Sequence, residues 1–290
     1  MLPWPSRRLS DNPDHTLWHY ANGRMPDWVN GSDGEVAWIK REHRGVQWLD
    51  KIHLPTKSQH RKYILEPKFT IKFDTAFDQV VRACADLKRE GKTWIRDELS
   101  RAYTTLHRMG FAHSFEAWDG DRLVAGAFGL QMGAVMSIDS VFHHVSNAGI
   151  AVYGQTLLRL RDRGFKLVDV NYVSGPFARF GEEWVPQWRF EELLRQMLRE
   201  HPTIADGVPA PVLPARVARL LPLARGVEKV MARFRSPYQK SQTAPAAVDT
   251  DPTTATPPSG TSANPAPAKT EKPAPENAAA ATPGDDAQAA

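Results

Sequence analysis

Apolar residues along this chain switch between two spacings, and the switches mark its elements. Phe69, Ile71 and Phe73 alternate with Thr70 and Lys72, the period-2 pattern of a half-buried strand. Asp74 or Thr75 then stands where a helix cap belongs, and the helix runs through about Ala85. From Thr93 to Met109 the spacing is helical: Leu99, Ala102, Tyr103, Leu106 and Met109 share one face, and Gly110 is the expected terminator. A strand meander comes next. His113–Trp118 reads as a strand, Asp119-Gly120-Asp121 as a turn, Leu123–Leu130 as a second strand and Ala134–Phe142 as a third. Asn147 stands as the cap of a helix through Arg163, with Ile150, Tyr153, Leu157, Leu158 and Leu160 supplying much of its buried face. Lys166–Asn171 is a short buried strand, and a final helix covers roughly Phe190–Arg199. Several strands, a helix, then a strand predict an α+β fold around one sheet.

The ordered body on this pattern runs from about residue 14 to 200. Prolines at 202, 209, 211, 214 and 222 interrupt the next stretch of chain. Val217 to Phe234 reads as a basic amphipathic helix carrying Arg219, Arg225, Lys229 and Arg233. It suits a docking or solvated helix, or an added RNA or membrane-surface contact. From about Ser236 the chain is Pro, Ala, Thr, Ser and scattered charge. Such a segment buries too little apolar surface to offset its ordering entropy, so disorder is expected there.

Composition changes this picture only at the edges. The 290 residues are 41% hydrophobic and 24% charged, a globular balance. Net charge is +4, and the segment from Pro237 onward holds three Lys against six Asp/Glu, so the first 236 residues carry +7. That excess fits a polyanionic partner without requiring one. Cys84 is the single cysteine, which excludes an internal disulfide and a cysteine-based zinc site; its apolar neighbours suggest a small buried residue. No apolar run approaches the ~20 residues of a membrane span, and the first residues lack a signal-peptide core. The expectation is a cytoplasmic protein, a monomer with no membrane contact.

Several short motifs occur in one order: Ala76-Phe77 with Val80 and Ala83-Cys84-Ala85; Thr93-Trp94-Ile95; Ala102-Tyr103; Leu106-His107; and Gly110-Phe111-Ala112-His113-Ser114-Phe115-Glu116-Ala117-Trp118. Leu123-Val124-Ala125-Gly126, Leu167-Val168-Asp169, Phe180-Gly181 and Trp184-Val185-Pro186 continue the series. Across about residues 16–198 the chain resembles the leucyl/phenylalanyl-tRNA–protein transferases. The resemblance implies a GNAT-like catalytic domain at 67–200 behind a small N-terminal domain at 1–66. Beyond these lie a basic helical extension at 201–235 and the tail at 236–290. It implies transfer of a Leu- or Phe-like aminoacyl group from charged tRNA to a protein N-terminal amine, which tags proteins for degradation under the N-end rule. The partners implied are aminoacyl-tRNA and the acceptor N-terminus.

An aminoacyl ester is already activated, so this chemistry needs no cofactor, metal or covalent nucleophile. It needs a neutral amine placed at the ester carbonyl, a proton acceptor, and support for the oxyanion and leaving ribose oxygen. Asp169 falls at the aspartate of the family's DCQ motif and is the first candidate for the electrostatic or proton-accepting role. Asn171 stands at that motif's glutamine, one methylene shorter. Both are also readable as structural groups at a strand end. Trp94, in the family's TWI, and Trp38, near its tryptophan pair, are candidates for stacking on the terminal adenosine, or else core aromatics. Met136, Ile138, Asp139 and Val141 fall at the family's amino-acid pocket strand, where this chain departs from the FxGESM pattern. Gly149 replaces a lysine, removing a phosphate or ribose contact that the resemblance would supply. His113 is read as a buried hydrogen-bonding residue before a general base. His143 and His144 are adjacent, cannot jointly face one metal on a strand, and are read as surface residues.

Two other readings stay open. The substitutions at 39–44, 138–141, 149 and 171 suit a catalytically inactive relative that binds RNA or peptide N-termini. An acyl-CoA-dependent enzyme of the GNAT fold ranks last, because Val145-Ser146-Asn147-Ala148-Gly149 lacks that fold's pyrophosphate-loop pattern.

Overall fold

The computed structural model describes residues 6–29, 35–54, 58–66, 68–86, 93–173 and 175–221. Its elements are α1 (Pro13–Ala21), β1 (Met25–Trp28), β2 (Val36–Ile39), β3 (His43–Trp48), α2 (Ser58–Leu65), β4 (Thr70–Phe73), α3 (Phe77–Ala85), α4 (Asp97–Arg108), β5 (Ala112–Asp119) and β6 (Arg122–Met132). Then come β7 (Val135–Ser137), β8 (Ser140–His143), α5 (Ala148–Asp162), β9 (Leu167–Asn171), a 3-10 helix (Gly175–Phe180), β10 (Glu183–Pro186), α6 (Gln187–Met197) and α7 (Ala215–Ala218). Helices and strands are mixed around one large sheet of order β10-β3-β9-β7-β6-β5-β4, with β8 also paired to β6. A separate two-stranded sheet joins β1 to β2. Among the described residues no helix is long and apolar enough to cross a membrane.

Alternation along β6 divides the core. Phe128, Leu130 and Met132 join an apolar cluster with residues of α1, α3, α4 and α6. Ala125 and Ala127 join another, built on Tyr153, Leu157 and Leu160 of α5 and Ile64 of α2. The helical stripe of α4 buries Leu99, Ala102, Tyr103 and Leu106, as its spacing requires, while Met109 becomes the exposed C-cap.

Two local expectations are corrected. Neither Asp74 nor Thr75 caps α3; its N-cap is Ala76, which gives no side-chain cap. The cap comes instead from Glu116, fully buried on β5. Its carboxylate accepts from the backbone N–H of Thr75 at 2.9 Å and of Ala76 at 2.8 Å. It also accepts from the Ser114 hydroxyl at 2.8 Å, the Trp118 indole at 3.1 Å and the Thr75 hydroxyl. Glu116→Ala strips five donors of one buried acceptor, and should lower the unfolding free energy by about 3 kcal/mol or more in urea titration. Asn147 is the N-cap of α5, as expected, but at φ 66 its side chain makes no cap bond. The third strand, expected unbroken over 134–142, is two strands. Gly129 lets them pass close to β6, because a Cβ there would lie 1.7 Å from the Ser137 carbonyl oxygen.

That break shapes the sheet. β7 pairs in parallel with β9 up to Ser137 opposite Asp169, and the Ile138 N–H still bonds the Asp169 carbonyl at 2.8 Å. The next N–H, of Asp139, turns to the Phe128 carbonyl at 2.9 Å, and β8 continues on β6 while β9 continues on β3. The sheet forks at Ile138 and Asp139. The basic helix expected at 217–234 and the tail lie mostly or wholly outside the described residues. Within them α7 packs by Val217 and ties to α1 through the Arg216–Asp14 ion pair.

Candidate active site

Six polar side chains from five places in the chain gather at this fork. Asp169 on β9 is buried and holds Arg44 on β3 through two bonds, Nε to Oδ1 and Nη2 to Oδ2, both 2.7 Å. The guanidinium is 1% exposed and lies over the Phe190 ring at 4.9 Å. Burial works against its charge, but the Asp169 carboxylate outweighs that and raises the Arg44 pKa. Both oxygens of Asp169 are therefore engaged, one also accepting the Asn171 N–H at 3.1 Å.

Asp139 follows β7 at the point of the fork. Its Oδ2 accepts the Tyr20 hydroxyl at 2.8 Å, and the Tyr20 and Tyr103 hydroxyls bond at 2.6 Å. Its Oδ1 is enclosed without a hydrogen-bond partner. Burial pushes this carboxyl up to about 7; the Tyr20 hydroxyl opposes the shift, and the nearby Asp169 charge adds to it. Burial also drives the Tyr20 and Tyr103 hydroxyls well above their ordinary range, with the Asp139 charge contributing. Both phenols stay neutral at any pH the protein meets, and so act as hydrogen-bond donors and relays.

Asn171 ends β9 at φ 60, with its amide oxygen enclosed and unpartnered. Gly45 stands opposite it on β3, beside a bulge at Gly45/Val46. A Cβ on Gly45 would lie 2.7 Å from the Val173 nitrogen and 2.8 Å from the Tyr172 carbonyl carbon. The left-handed turn at Asn171 thus folds the following backbone across the gap left by the glycine.

The residues expected from sequence do not all meet here. Asp139, Asp169 and Asn171 do. Met136 and Ile138 are buried in the apolar cluster that also holds Ala148 and Val152 of α5, with Val141 partly buried against it. Trp38 is fully enclosed and stacked on His19, with centroids 4.6 Å apart and planes 5° apart, so in this arrangement it offers no face to a base. Trp94 is partly buried, with its ring 6.5 Å from Phe128. His113 is buried and bonded through Nδ1 to Asp74 at 2.8 Å, while His143 and His144 are exposed. Sequence reasoning missed Arg44 and Tyr20, and named Tyr103 only as part of a helix face. Arg44 lies 125 positions from its partner, and no local pattern could have joined them.

The layout is that of a mixed α/β protein with a cluster of buried ionisable side chains where its sheet divides. The family model described as leucyl/phenylalanyl-tRNA protein transferase matches residues 46–195. A protein of Teredinibacter turnerae named leucyl/phenylalanyl-tRNA–protein transferase is 36% identical over 199 residues, covering 68% of this chain and 75% of its own. One of the same name from Shewanella baltica is 35% identical over 191 residues, covering 66% and 78%. The chain belongs to the leucyl/phenylalanyl-tRNA–protein transferase family. Among solved structures, L-PGS from Bacillus licheniformis overlaps 55% of this chain and 66% of its own at a TM-score of 0.36 and 12% identity, too slight a likeness to bear on function.

Proposed function

We propose that this protein moves a leucyl- or phenylalanyl-like group from charged tRNA to the N-terminal amine of an acceptor protein in the cytoplasm, acting as a monomer. Residues 67–200 are then a GNAT-like acyl-transfer core, to which the segment before residue 67 adds Tyr20 and Arg44. The observation that carries the reading is the fork itself. A carboxyl titrating near neutrality stands there beside a fixed guanidinium, within a chain whose family match spans 46–195.

In this reaction the amine nitrogen bonds the ester carbonyl carbon, the carbonyl-to-ribose oxygen bond breaks, the amine loses a proton and the ribose oxygen gains one. Sequence alone pointed to Asp169 for an electrostatic or proton-accepting role; with both oxygens engaged, it takes the electrostatic one in this proposal, as the partner that fixes Arg44. Asp139 takes the acid–base role in this proposal, since a group with a pKa near the working pH both accepts and returns a proton. Tyr20 donates to it, and Tyr103 bonds the Tyr20 hydroxyl behind. Asn171 orients the incoming amine through its unpartnered amide oxygen. Trp94, partly exposed, serves the adenosine end, and Met136, Ile138 and Val141 shape the wall behind the aminoacyl side chain.

The test supplies the full chain with leucyl-, phenylalanyl- and other charged tRNAs and with peptides bearing different N-terminal residues. Extension of the peptide by one residue is expected, with Leu or Phe donors preferred. RNA binding with no transfer from any donor overturns the proposal in favour of an inactive binding relative.

A further inference from the structure

Two large, half-exposed aromatic side chains meet next to this site. Tyr172 is 39% exposed and Trp184 47% exposed, and their rings lie 6.2 Å apart at 77°. Their meeting follows from the backbone already described. Trp184 on β10 stands opposite Gly45, and Gly45 opposite Asn171, so the turn at Asn171 throws Tyr172 across the glycine onto Trp184.

The pair is held rather than loose. The Tyr172 hydroxyl accepts from Arg41 Nε at 3.0 Å and donates to the Asp27 carboxylate. Arg41 Nη2 bonds Asp27 at 2.9 Å and the Trp28 carbonyl at 3.2 Å. One end of the tyrosine ring is thus fixed while much of its surface stays open. Fixing a contact surface before its ligand arrives removes an ordering cost from binding.

We infer that Tyr172 and Trp184 form a stacking platform for the unpaired 3′-end bases of the charged tRNA, an assignment that rests on the function proposed above. The reacting ester sits on the terminal ribose, so bases must lie close to the acid–base groups. Tyr172 directly follows Asn171 and is three residues from Asp169. The chemistry of the patch favours a nucleic acid over the acceptor peptide. The carboxylate bonded to the pair, Asp27, is taken up by Arg41 and Tyr172, so the patch presents aromatic faces beside a 42% exposed arginine side chain. Aromatic faces with an adjacent cation suit bases and phosphate, whereas a cationic peptide N-terminus needs a free anion. The +7 charge of the first 236 residues has the same sign. Trp38, one of the two tryptophans considered for stacking on the terminal adenosine, is enclosed, and with Trp94 at that adenosine the platform takes the bases preceding it.

The experiment measures binding of the full chain to a single-stranded RNA oligonucleotide ending in CCA, by anisotropy at low salt, so no transfer need occur. Trp184→Ala should weaken binding by about 5- to 150-fold, the range for losing one stacked base, with Tyr172→Ala similar and Tyr172→Phe milder. The Trp184→Ala melting temperature should stay close to that of the parent, because the ring is half in water; should Tyr172→Ala unfold the Arg41–Asp27 network, Trp184→Ala carries the test. In transfer assays KM for charged tRNA should rise while kcat and KM for the peptide hold. Unchanged oligonucleotide binding in Trp184→Ala, no measurable binding by the parent, or a rise confined to the peptide KM overturns the platform. Trp184-dependent RNA binding without transfer would leave the platform standing and remove the proposed function instead.

Discussion

Asp139→Asn should lower the rate of aminoacyl transfer by about 10²- to 10⁴-fold, the usual contribution of a positioned acid–base group, without unfolding the protein. Asparagine keeps the shape and can still accept from Tyr20, but it takes no proton. In single-turnover assays the parent rate should rise through a pH near 7, where burial has placed the Asp139 carboxyl. A second rise belongs to the acceptor amine, whose ordinary pKa is about 7.7–8.0. In Asp139→Asn the first limb should vanish and the second remain. Stability should respond too. The folded pKa is raised from 3.8 to about 7, so from pH 4 to 7 the unfolded chain ionises this group while the folded chain resists. The group therefore favours unfolding progressively over that window, and its penalty is constant above it. Removing the carboxyl should flatten this part of the stability profile.

Arg44→Met should destabilise the fold by about 3–5 kcal/mol, the typical cost of stranding one member of a buried ion pair. Asp169 would be left buried on β9 with only the Asn171 N–H against its charge. Urea denaturation reads the loss. The double variant Arg44→Met/Asp169→Leu removes both charges and should recover much of the stability, since apolar replacements for buried pairs are often neutral or better. It should not recover transfer, because the fixed guanidinium and its carboxylate are gone. Stability restored with activity still absent separates the pair's two roles. Full activity in the double variant would remove Arg44 and Asp169 from the mechanism.

Each feature is legible in the sequence to the extent that its signal is local. The stripe of Leu99, Ala102, Tyr103 and Leu106 and the alternation of Phe69, Ile71 and Phe73 are local, and each declares its element and its buried face. Strand pairing is not local. Nothing between His43 and Trp48 says that this stretch inserts between β9 and β10, so Arg44 was invisible as the partner of Asp169. The fork was missed for a related reason. Apolar residues continue through Ile138, and only the switch of backbone partner at Asp139 breaks the strand. Glu116 shows the same limit. Asp74 and Thr75 have the right chemistry to cap α3 from sequence, yet a carboxylate some 40 residues later on β5 takes the Thr75 and Ala76 N–H groups at the helix start. Composition could not reveal which tryptophans face water. Trp38 and Trp184 look equally available in the sequence, but one stacks on His19 in the core and the other stands at the sheet's β10 edge.

In the proposed reaction the acceptor is an N-terminal amine and the donor an aminoacyl-tRNA. Mass spectrometry of two matched peptides tests it, one with a free N-terminus and one acetylated, each incubated with the full chain and leucyl- or phenylalanyl-tRNA. One added leucyl or phenylalanyl residue is expected at the N-terminus of the free peptide and none on the acetylated one. Equal modification of both peptides, or of neither, would contradict it.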